Sequence, residues 1–172
     1  VEVCNAKYGN NGWLGVAQIW VSDSHIIKGV AKMNDTYFNT RTYNTSAWRR
    51  LVMCQEVAHT FGLDHQDENF YNVNLGTCMD YTAHPDAPPS NEQPNAHDYE
   101  QLETIYAHLD SPTTVGVTAP SGPGNSGRDN VDVTERGEWG QALRYDGQGR
   151  PSLYGRDLGR GDKVFTFVFW AD

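Results

Sequence analysis

Residues 55–65 read Gln-Glu-Val-Ala-His-Thr-Phe-Gly-Leu-Asp-His, and no other stretch constrains the chain as tightly. Gln55 and His59 stand one helical turn apart, so they share a face and can reach one small ion together. Glu56 is rotated roughly 100° from Gln55, which brings a carboxylate beside that ion without making it a ligand. Gly62 suits the end of the helix, because glycine enters the left-handed C′ conformation without strain. The chain can then turn sharply and return His65 to the same point. Three protein donors, an adjacent carboxylate and an open position for water are the parts of a metal-dependent hydrolase site.

The pattern is HExxHxxGxxH with Gln55 in place of the first histidine. It resembles the active-site segment of the metzincin clan of zinc metallopeptidases. A second segment, Gly76-Thr77-Cys78-Met79-Asp80-Tyr81-Thr82, resembles the Met-turn of that clan, and its Met-Asp-Tyr wording is closest to the pappalysin-like branch. The resemblance implies an α+β fold, with a twisted mixed sheet packed on the active-site helix and a small C-terminal subdomain carrying a second helix. It implies zinc held by Gln55, His59 and His65, with Glu56 as general base. Met79 would lie beneath the metal, and Tyr81 would steady the tetrahedral intermediate. The implied activity is that of a secreted zinc-dependent endopeptidase acting on peptide or protein substrates.

Gln55 departs from the pattern at a ligand, and an amide oxygen is a weaker zinc donor than imidazole. Three outcomes are open. The amide oxygen ligates and tunes the site; His25, His84 or His97 replaces it; or the site is degraded and the chain is a catalytically inactive peptide- or protein-binding relative. Retention of Glu56 favours activity, since a binding module has no use for a base there. A ligand set weakened in this way predicts easy stripping by chelators.

The cysteines bear on the same segments. Cys54 precedes Gln55 and Cys78 precedes Met79. A Cys54–Cys78 bridge would tie the two halves of the implied site together, worth about 3 kcal/mol on a chain-entropy account. It would need an oxidising compartment, in line with secretion. Cys4 would then be free, or paired with a segment outside this chain. No signal peptide is evident, as expected of a chain that starts after processing or at a boundary. With 172 residues the chain can build one core. Its formal net charge of −9 argues against nucleic acid or an anionic membrane as partner. No apolar run is long enough to span a bilayer, and a monomer is expected.

Around the motifs, residues 12–21 (GWLGVAQIWV) and 25–33 read as strands. The first resembles the edge strand with which the clan pairs its substrate backbone; an ordinary internal strand is the other reading. Asn44-Thr45-Ser46 offers capping for a helix over residues 47–61 that buries Trp48, Leu51, Val52, Ala58 and Phe61. The loop at 66–74 is loaded with oxygen donors, which makes calcium a second candidate ion beside a plain solvated loop. Asn95 begins a helix to residue 109, with Tyr99, Leu102, Ile105 and Tyr106 expected inside. Residues 113–130 read as a flexible linker between a core at 1–112 and a C-terminal β segment at 131–172. In that segment residues 163–170 (KVFTFVFW) are too apolar to leave exposed. A module of under about fifty residues is marginal alone, so this tail is expected to dock on the core.

Overall fold

An unbroken apolar run suits a strand covered on both faces. In a computed structural model of the chain, which describes residues 1–108 and 135–171, the run at 12–21 becomes β2 (Trp13–Ser22), with eight consecutive buried residues. The linker expected at 113–130 lies outside the described residues. The other elements are β1 (Glu2–Ala6), β3 (His25–Asn34), α1 (Asp35–Phe38), α2 (Ser46–His59), α3 (Ala96–Ile105), β4 (Gln141–Tyr145), β5 (Pro151–Gly159) and β6 (Asp162–Trp170). The architecture is α+β, built on one six-stranded mixed sheet in the order β1-β3-β2-β6-β5-β4. Among the strands of the described residues, β1 and β3 are the pair that runs parallel.

β2 is therefore not an edge. It pairs antiparallel with β3 on one side and with β6 on the other, from Trp13↔Trp170 to Ser22↔Asp162. Of the two readings of residues 12–21, the internal strand is the one the structure holds. The reason is the apolar C-terminal run, which buries itself by occupying the edge that a substrate strand would have used. Gln18 and Thr166 sit opposite each other in this pairing. Gln18 Nε2 donates to Thr166 Oγ1 at 3.0 Å, and both side chains are fully buried. A one-residue slip would part them, so the pair helps fix the register.

The two faces of the sheet carry separate cores. One joins Leu14 and Phe169 to Leu51 and Val52 of α2 and to Met79 and Tyr81. The other joins Trp13, Val16, Trp20, Val164, Val168 and Trp170 to Trp139 and Tyr154. β5, hidden in a glycine-rich text and not anticipated, supplies Tyr154 from a strand whose Ser152 and Tyr154 alternate inward.

α2 starts where its capping chemistry places it, with Thr45 Oγ1 accepting from Trp48 N at 3.2 Å. It ends at His59, two residues short of the expected end, and Gly62 takes φ +91° just beyond. Leu51, Val52 and Ala58 are buried and Trp48 is half-buried, but Phe61 lies past the helix and is exposed. The helix presses onto β2 at Gly15, where a Cβ would stand 2.5 Å from Val52 Cγ1 and 2.6 Å from Glu56 Oε1. α3 opens with a capping box between Asn95 and Asp98 and ends at Ile105. It meets the core through Leu102 and Ile105, while Tyr99 and Tyr106, expected inside, are exposed. The Cys54–Cys78 disulfide is present, with Cα atoms 5.9 Å apart, and it ties α2 to the turn carrying Met79. Cys4 is a free thiol on β1. Among the described residues no helix is long and apolar enough to cross a membrane.

Candidate metal centre

One turn of α2 and the glycine turn after it bring three side chains to a point. His59 Nε2 lies 2.9 Å from His65 Nε2, and the Gln55 amide lies 2.6 Å from the same His65 atom. Gln55 is 1% exposed, His59 is 0% exposed and the His65 side chain is 2% exposed.

The outward contacts of the two rings decide what the inner nitrogens are. His59 Nδ1 is 2.8 Å from the Leu63 carbonyl oxygen, and His65 Nδ1 is 2.6 Å from Glu68 Oε1. A carbonyl and a carboxylate only accept, so each Nδ1 carries hydrogen, and in the tautomer with hydrogen on Nδ1 the Nε2 lone pair turns inward. Two such lone pairs at 2.9 Å need a proton or a cation between them. Burial, and then the neighbouring His65, hold His59 well below its ordinary pKa, which disfavours a proton there. Histidines that ligate metals characteristically hand their other ring N–H to a carbonyl or carboxylate in this way.

Gln55 completes the set. One end of its amide contacts His65, and its Oε1 is buried with no hydrogen-bond partner. Exchanging the two ends of the amide turns that orphan oxygen onto the centre as a lone-pair donor. Among the described residues no three His, Cys, Asp or Glu side chains form a metal-holding group. The trio here reaches three donors only by counting the Gln55 amide. The donor types fit zinc, with two imidazoles and one oxygen.

Glu56 is fully buried against β2 at Gly15, and neither carboxyl oxygen has a partner. Burial pushes its pKa well above the ordinary value, towards the protonated acid. Met79 is buried in the turn after α2, where Thr77 Oγ1 accepts from Met79 N and Met79 O accepts from Gln66 N. Asp80 braces that turn by accepting from Leu75 N and Asn91 Nδ2, each at 2.8 Å. The Tyr81 ring lies 4.6 Å from His65, and its hydroxyl donates to the Val168 carbonyl on β6 at 3.2 Å. Burial, followed by the charges of Glu68 and Glu56, raises the Tyr81 pKa further above its ordinary value.

Other parts of the centre carry no signal in the local sequence. Phe167 of β6 stacks on His59 with centroids 4.0 Å apart and planes 11° off parallel, so the tail strand roofs that ring. Glu68, within the oxygen-rich loop at 66–74, is the acceptor for His65. Arg144 and Ser152, from the far end of the chain, hold Glu68 in turn.

The histidines considered as stand-ins for Gln55 are placed elsewhere. His25 lies edge-on to His108 at 5.5 Å, and the His84 carbonyl accepts from Asn74. His97 is exposed on α3, where it and His65 both line a cavity of about 450 Å³ between α3 and residues 62–66. In the loop proposed for calcium, Asp67 accepts from Asn69 N and Asn72 Nδ2, and Asn69 accepts from Tyr71 N. Those oxygens are engaged within the loop itself. Comparison with protein-family models, with curated proteins and with solved structures finds no match for this chain.

Proposed function

We propose that this chain is a secreted, metzincin-like zinc peptidase domain with Gln55, His59 and His65 as the metal ligands. The observation that carries the reading is the convergence of two Nε2 lone pairs whose rings both donate Nδ1–H outward, to Leu63 O and Glu68 Oε1. Zinc bound there would supply Lewis acidity for a peptide carbonyl and an activated water. Glu56 would take up and hand on the proton as a carboxylate, a form that its dry, unpartnered surroundings disfavour in the metal-free protein. Tyr81 can turn to a substrate oxygen only when its bond to Val168 O is released. The disulfide supports an oxidising compartment, and the acidic net charge favours peptide over nucleic acid as substrate.

A second reading has its own support. A catalytic zinc keeps one position open, whereas Phe167 of β6 stacks directly on the His59 ring. On that ground the domain would bind zinc without cutting peptides. Metal analysis of the purified protein, with a protein-cleavage assay on wild type and Glu56→Ala, separates the two. Zinc with Glu56-dependent cleavage supports the peptidase. Zinc without cleavage leaves the silent domain, and no zinc after reconstitution sinks both.

A further inference from the structure

His65 is the ligand farthest from the helix, and the backbone just after it is bridged to the turn carrying Met79, with Gln66 N donating to Met79 O and Tyr81 N to Asp67 O. Its orientation depends on Glu68, whose carboxylate accepts from Nδ1 at 2.6 Å with the Glu68 side chain 14% exposed. An acceptor in that position fixes both the rotation of the ring and the nitrogen that faces the ion.

Glu68 is gripped from β4 and β5. Arg144 donates to both oxygens of Asp64, at 2.7 Å from Nη1 to Oδ2, and places Nε 3.0 Å from Glu68 Oε1. The last contact is off the N–H axis and acts as an ion pair. One guanidinium therefore holds the two carboxylates that flank His65 along the chain. Ser152 Oγ, fully buried on β5, donates to Glu68 Oε2 at 3.1 Å. The turn between the strands completes the grip, with Gly147 N donating to Glu68 O at 2.9 Å. A Cβ at Gly147 would stand 2.8 Å from that oxygen, so a side chain there would prevent the approach.

We propose that Glu68 is a positioning residue for zinc binding through His65, and that β4 and β5 are a working part of the metal centre through Arg144 and Ser152. This rests on the reading of Gln55, His59 and His65 as zinc ligands. The three ligands come from one short motif, while their affinity for the ion is set by residues that join it only when the sheet closes. Arg144 keeps Glu68 from turning to solvent, and Glu68 keeps His65 Nε2 aimed at Gln55 and His59.

The test uses the full chain as wild type, Glu68→Ala, Glu68→Gln, Arg144→Met and Ser152→Ala. Zinc and cobalt(II) dissociation constants are measured by competition with a chromophoric chelator, and the cobalt d–d bands are recorded beside the melting point of the metal-free protein. Glu68→Ala should weaken binding by about 10- to 100-fold and shift the cobalt bands, as expected when the partner of a ligating histidine is lost. Glu68→Gln, which keeps an acceptor, should recover part of the loss, and Arg144→Met should move both readouts in the same direction as Glu68→Ala. If Glu68→Ala fails to fold, Glu68→Gln and Arg144→Met decide by the same two readouts. Wild-type binding with unchanged affinity and bands in these variants would make the cluster a purely structural salt bridge and overturn the proposal alone. Absence of metal binding in the wild type would overturn the zinc-ligand reading as well.

Discussion

Residues 46–81 and residues 141–170 meet at one point, yet they reach it by different rules. The first region carries the donors on a helix turn and a glycine turn, so their separation follows from backbone geometry. The second carries no motif, and it supplies the roof over His59 and the grip on Glu68 through sheet pairing. Chemistry written at short spacing can be read from a sequence. The enclosure that gives that chemistry its dielectric and its orientation is a product of long-range packing.

The sharpest way to break this comparison is to treat β6 as a loose lid. Phe167→Ala removes the ring stacked on His59 and should cost about 3–5 kcal/mol, read as a lower denaturation midpoint. An unchanged midpoint would mean that the C-terminal strands merely rest on a finished core. On the motif side, replacing both Cys54 and Cys78 by alanine should cost about 3 kcal/mol. The check is a denaturant titration of wild type with and without reductant; coincident curves would show the bridge to be idle.

A smaller effect is expected where the two regions are separated by one strand. Gly15→Ala puts a methyl group within 2.5 Å of Val52 Cγ1 and 2.6 Å of Glu56 Oε1, so these side chains or the helix that carries them must shift. About 1–3 kcal/mol of overpacking is expected, and thermal unfolding of the variant would show it; a neutral result would mean that α2 is not held against β2.

The smallest effect, taken per pH unit, comes from Glu56. Burial raises the folded-state pKa of Glu56 above the ordinary value of 4.5, so the metal-free folded protein binds more protons than the unfolded chain once the pH exceeds that value. Stability contributed by Glu56 is full below 4.5 and falls as the pH rises towards its folded pKa, by up to about 1.4 kcal/mol per pH unit. Glu56→Gln should remove this slope. Its advantage over wild type should widen as the pH rises above 4.5, and comparing the two proteins cancels the opposite dependence of His59. Parallel stability curves would mean that Glu56 is solvated in the folded state.

Much of the first region was legible because its signals are local. Thr45 and Asn95 cap the helices they were expected to cap, and the Cys54–Cys78 bridge follows the two motifs. Phe61, Tyr99 and Tyr106 were assigned to the core on helical spacing. Phe61 falls outside the helix, and α3 touches the core along one narrow stripe. The second region was legible only as an apolar run needing cover. Nothing in KVFTFVFW says that Phe167 meets His59, since that depends on β6 pairing with β2 in one register. Glu68 stood in plain view three residues after His65, but a polar loop offers many carboxylates, and Arg144 and Ser152 single it out only once β4 and β5 are in place.

X-ray absorption at the zinc edge of the reconstituted full chain tests the central claim most directly. The account predicts one zinc per chain in a shell of nitrogen and oxygen at about 2.0–2.2 Å, with multiple scattering from two imidazoles, and loss of that signal in His59→Ala. A shell with sulfur or three imidazoles, or zinc retained unchanged in His59→Ala, would contradict the assignment of Gln55, His59 and His65 as the ligands.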